Sequence, residues 1–147
     1  MQDMKLNAAL AWGILLSMTG AASAQTSDCA AFAATALPGM TLKTEAVAGD
    51  STRPPGATTG PLLVAHCKVN GKMAERMGQD GKPYHIGFEL RLPTAWNGRF
   101  LYQGGGGNDG VVRPAVGPQA APGYALNRGF AVVTTDAGHQ GPTADFG

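Results

Sequence analysis

Between Tyr84 and Leu92 the chain alternates five apolar residues, Tyr84, Ile86, Phe88, Leu90 and Leu92, with His85, Gly87, Glu89 and Arg91. A period of two sends one set to each face of an extended strand. The spacing therefore predicts a half-buried strand whose charged set faces solvent. Pro93 ends it, Asn97-Gly98 reads as a turn, and Arg99 to Gln103 reads as the next strand.

Weaker signals place the other elements. Residues 28–36 are Ala-rich and follow Ser27 and Asp28, either of which suits a helix N-cap, and Pro38-Gly39 closes the segment. Met40 to Ala48 alternates loosely as a strand does. Asp50 to Gly60 collects Ser, Thr, Pro and Gly as a surface loop, and Leu62 to Val69 is a compact strand-like run. Asn70-Gly71 then signals a turn, with the polar stretch 72–83 as a loop. Residues 111–122 hold three prolines and read as loop. Gly123 to Arg128 reads as a helical turn stopped by Gly129. Phe130 to Thr134 is a short, continuously apolar run, as expected of a parallel strand buried on both faces. The order predicts an α/β fold in which antiparallel strands lead into parallel ones, with the edge of the 130–135 strand left without a neighbour.

Four consecutive glycines, Gly104 to Gly107, follow the Arg99–Gln103 strand directly. Glycine reaches backbone angles closed to other residues and lets a ligand approach the main chain. A phosphate cradle would require a Gly-Lys-Ser/Thr ending or a spaced glycine fingerprint with a later acidic residue, and neither follows. Two readings stay open. One is a plain surface connection, with Asn108 and Asp109 as turn residues. The other is the loop after the third strand of an α/β-hydrolase sheet, which gives one N–H to an oxyanion hole.

The first 24 residues carry Lys5, an apolar run from Ala8 to Met18 and a small-x-small site at Ala22-Ser23-Ala24. That layout predicts a secretory leader over residues 1–24, a secreted or periplasmic destination and a fold confined to residues 25–147. The run is shorter than the roughly 20 residues of a membrane span, and no membrane association is expected. A net charge of +1 without a basic cluster argues against nucleic acid as a partner. The only cysteines, Cys29 and Cys67, fit one disulfide in an oxidising compartment, with two buried thiols as the alternative.

The stretch PTAWNGRFLYQGGGGNDG, followed by ALNRGFAVVTTDAGH, resembles the tannase and feruloyl esterase family of secreted ester hydrolases. The resemblance covers residues 29–147. It implies the N-terminal part of an α/β-hydrolase domain that acts on small-molecule esters of aromatic acids. Gly107 matches the family position whose backbone N–H helps form the oxyanion hole, with Gly106 and Asn108 beside it against substrate. Cys29 and Cys67 match a family disulfide. His139, just past the last strand, lines the pocket on this reading, while Asp136 braces the loop. The family nucleophile is a serine in a Cys-Ser-x-Gly-Gly pattern. None of the serines, at positions 17, 23, 27 and 51, stands in such a pattern. The chain is thus expected to be a portion that is inactive alone, from a truncated gene, a partial sequence or a split enzyme completed by a C-terminal polypeptide. No cofactor is expected in it, because the family's calcium belongs to a lid that the sequence lacks. The alternative is a small exported β-rich binding module with a ligand site at the glycine loop.

Overall fold

The computed structural model describes residues 26–106, 110–120, 123–138 and 140. Residues 1–24, read above as a leader, lie outside the described residues. Helix α1 spans Thr26–Phe32 and tightens into a 3-10 turn at Ala33–Thr35. Strands follow as β1 (Met40–Val47), β2 (His66–Met77), β3 (Pro83–Pro93) and β4 (Phe100–Tyr102). After β4 come β5 (Gln119–Ala120), β6 (Gly123–Tyr124), a 3-10 turn at Leu126–Arg128 and β7 (Ala131–Thr135). The main sheet runs β1-β2-β3-β7-β4. It is antiparallel except where β7 meets β4, and β5 and β6 form a separate hairpin pair.

The expected strands at β1, β3, β4 and β7 all form, and Gly129 stops the second 3-10 turn in the left-handed region at φ 84°. Three expectations are corrected. Leu62–Val69 is not a strand: only His66 onward joins the sheet. Asn70-Gly71 is not a turn but the middle of β2, which continues to Met77 past an irregularity at Ala74, where φ is +53°. Gly71 lies opposite Phe88, and a Cβ there would stand 2.1 Å from the Phe88 ring. Glycine is required there by a ring packed on the backbone, not by a bend. The third correction concerns β7, which is no edge: β3 covers one side and β4 the other, leaving β4 and β1 as the outer strands.

The registers assign each face. Thr44, Val69, Leu90, Val133 and Tyr102 form one row across the five strands, and Glu45, Lys68, Arg91, Val132 and Leu101 form the next row on the opposite face. The apolar set of β3 was expected to be the buried one. The structure buries Glu89 at 8% and Arg91 at 4% exposure, as deeply as Phe88 at 8%, while Ile86, Leu90 and Leu92 of the apolar set are half-buried. The cause is the segment after the glycine loop. Ala115, Val116, Ala125 and Leu126 close over that face with Leu63 and Val132 to make the core. The apolar face carries α1, stapled through the Cys29–Cys67 disulfide, while Phe100 and Tyr102 at the β4 side stay exposed.

Charge on a buried face must be paired. Arg91 Nε donates to Glu89 Oε1 at 2.7 Å, and its Nη1 lies 3.2 Å from His66 Nε2. The other ring nitrogen of His66 meets the Val64 carbonyl at 2.6 Å. Burial, and the neighbouring Arg91 and Lys68 charges, hold the His66 pKa below the ordinary 6.5 against the opposing pull of Val64 and Glu89. Below pH 6.5 the unfolded chain therefore binds the His66 proton more readily than the folded one, so stability is complete above that pH and falls as acid passes through the lowered folded value. Urea unfolding across pH 4.5 to 7.5, a range spanning the ordinary histidine pKa, is expected to show this loss, and His66→Gln to flatten it. An unchanged slope in His66→Gln would remove His66 as its source.

Candidate functional site

β4 and β7 run parallel, so their carboxyl ends open on the same edge of the sheet. Open α/β sheets place ligand crevices outside the carboxyl ends of their strands. Two loops leave that edge here: the glycine loop from Gly104, and the turn from Asp136 to Gln140.

The second loop is built on a carboxylate. Asp136 is 3% exposed and both of its oxygens accept from the Gly87 N–H of β3, at 3.0 and 3.1 Å. Gly138 N–H donates to Oδ1 at 2.8 Å, and Gln140 Nε2 donates to Oδ2 at 2.8 Å and to the His85 carbonyl at 2.7 Å. A Cβ at Gly87 would stand 2.7 Å from Asp136 Oδ2, so the glycine within the alternating strand admits the carboxylate. The turn is taken in the left-handed region by Ala137 at φ 57° and Gly138 at φ 79°. Its loop-bracing role is the one read from the sequence, now with named donors.

The glycine loop is held at its feet. Gln103 N–H donates to the Val133 carbonyl at 2.8 Å where β4 ends, and Gly110 N–H donates to the Asp136 carbonyl at 3.3 Å. The Gln103 side chain meets the returning segment: Nε2 donates to the Pro114 carbonyl at 3.3 Å and Oε1 accepts from Gly117 N–H at 2.8 Å. Glu89 Oε1 takes the intervening Ala115 N–H at 2.9 Å. Gly104, Gly105 and Gly106 are exposed, and among the described residues their N–H groups make no hydrogen bond. A Cβ at Gly106 would meet nothing within 4 Å. Main-chain donors without a partner among the described residues, beside a strand terminus, suit a developing negative oxygen.

Gly107, Asn108 and His139 lie outside the described residues. Cys29 and Cys67 are bonded to each other, 38 positions apart. Gln103 and Glu89 escaped the sequence reading; the available signal was a polar residue directly before the glycine run and a carboxylate two positions from an arginine on one strand face. An apolar cavity of about 400 Å³ lies at the opposite edge, between Phe32, Leu92, Trp96 and the disulfide, away from both loops. Among the described residues no three His, Cys, Asp or Glu side chains gather as a metal site, and no helix is long and apolar enough to cross a membrane.

Known proteins are similar to this chain. The family model for tannase and feruloyl esterase matches residues 67–147. A mono(2-hydroxyethyl) terephthalate hydrolase of Piscinibacter sakaiensis is 43% identical over 95 residues, covering 62% of this chain and 15% of that protein. An uncharacterised esterase of Xanthomonas campestris is 36% identical over 136 residues, covering 90% of this chain and 21% of its own. The crystal structure of an esterase from Aspergillus oryzae superposes with a TM-score of 0.54 at 26% identity, over 78% of this chain and 23% of that one. The chain thus spans less than a quarter of the length of each of these proteins.

Replacing Asp136 by Asn presents an amide N–H to a cluster of donors. Asp136→Asn is expected to cost about 1.5–3 kcal/mol in urea unfolding, the scale for hydrogen bonds to a charged group, and to speed amide exchange at Gly87 and Gly138. Full stability with both amides still protected would show that the carboxylate does not organise this edge.

Proposed function

This chain belongs to the tannase and feruloyl esterase family, and from that premise we propose that it forms the oxyanion side of an exported serine carboxylic-ester hydrolase acting on esters of aromatic acids. The observation that carries the reading is the set of glycine N–H groups, at Gly104 to Gly106, without a partner among the described residues at the carboxyl edge of the parallel β4–β7 pair. Gly107 is assigned the N–H that holds the carbonyl oxygen as it gains negative charge, with Gly106, Asn108 and His139 against the substrate. The fold is read as the opening of an α/β-hydrolase sheet. Export is supported by the Cys29–Cys67 bond and the leader pattern of residues 1–24.

In the assembled hydrolase a serine activated by histidine attacks the ester carbonyl, the alcohol leaves, and water then releases the acid from the acyl-enzyme. The serines of this sequence lack an elbow motif, so the nucleophile is assigned to a Cys-Ser-x-Gly-Gly segment outside it, on the same polypeptide or a second one.

A second reading, an exported binding module using the same loop, draws on the burial of Val132 in a strand flanked on both sides. The two readings part on turnover. The chain alone is expected to release no product from an aromatic methyl ester. Joined to the segment that carries the nucleophile it gains turnover, and Gly107→Val lowers kcat by about 10²-fold with no change in the urea midpoint. An unchanged kcat removes Gly107 from the role, and no gain on complementation favours the binding module.

A further inference from the structure

We propose that Gln103 is the positioning residue at the neck of the glycine loop, its carboxamide fixing the returning limb at residues 114–117 to the end of β4. The geometry stands by itself, and its chemical purpose rests on the ester-hydrolase reading. A run of glycines has more backbone freedom to lose than any other sequence, so the path from Gly104 onward must be imposed from outside. Among the described residues, Gln103 is the side chain that spans the neck of this loop. Its backbone N–H is committed to Val133, which fixes where the side chain starts.

The two contacts require opposite chemistry. The Pro114 carbonyl needs a donor, and the Gly117 N–H needs an acceptor. A carboxamide supplies both from one planar group, an ionised carboxylate only the acceptor, and a leucine neither. Between them Ala115 N–H is taken by Glu89, so residues 114–117 are pinned by side chains from β3 and from the end of β4. Gly117 is closely packed: it sits at φ 74°, and a Cβ there would stand 2.5 Å from Ala125 Cβ. The limb thus lies against the core, and Gln103 ties the end of β4 to it across the neck of the loop.

The test is amide hydrogen exchange on the oxidised full chain, read at Gly110 and Gly117 relative to Val132 in β7. Gln103→Leu is expected to raise exchange at both glycines about tenfold over any change at Val132, the scale of one lost hydrogen bond. Gln103→Glu at neutral pH, which keeps the acceptor, restores protection at Gly117 and not at Gly110. Exchange that rises equally at Val132, or does not rise at all, overturns the clamp. Should Gln103→Leu fail to fold, the glutamate variant decides by the same split between the two glycines. In the assembled hydrolase Gln103→Leu is expected to lower kcat about tenfold or more at unchanged KM, as a misplaced donor does. Faster loop exchange with unchanged kcat keeps the clamp and overturns its link to the ester site.

Discussion

A carboxylate removed from water needs its lone pairs filled by donors, and the Asp136 carboxylate fills them from three parts of the chain. Gly87 donates from the middle of β3, Gly138 from the following turn and Gln140 from beyond it, while the Asp136 carbonyl receives the Gly110 N–H that ends the glycine loop. Asp136 stands where β7 stops. Through it the antiparallel half of the sheet, the turn after β7 and the loop after β4 are set relative to one another. Without a glycine at position 87 there would be no room for it.

The second consequence is a division of labour between the faces of the sheet. The face carrying Glu89 and Arg91 is covered by residues that return from the glycine loop, so loop and core form one structure. Glu89 meets Ala115, Arg91 meets Glu89, and His66 meets Arg91, forming a buried chain from the loop's return limb to the start of β2. Replacing one member strands the others, and for buried charges that is the larger cost. The opposite face is held by the disulfide to α1 and leaves Phe100 and Tyr102 open.

Much of this was legible in the sequence because it is written locally. The β3 alternation, the Pro93 stop, the left-handed Gly129 and the apolar β7 run each depend on neighbours a few positions away. The failures are long-range. Gly71 reads as half of a turn signal, and only the Phe88 ring from the adjoining strand shows that it is a packing position. Glu89 and Arg91 read as a solvent face because nothing local reveals the segment that covers them. The Asp136–Gly87 contact spans 49 positions and the Gln103–Gly117 contact 14, distances at which periodicity is silent. The family resemblance supplied the ester chemistry that neither periodicity nor composition carries.

The central claim is that the glycine loop faces the oxygen of a reacting ester. The most direct measurement is a crystal structure of the chain joined with the segment that carries the nucleophile and trapped with an aromatic phosphonate, whose tetrahedral phosphorus mimics the attacked carbonyl. The account predicts a phosphoryl oxygen about 2.7–3.1 Å from a backbone N–H of the glycine loop. An oxygen turned away from that loop, with its donors drawn from elsewhere, would contradict it.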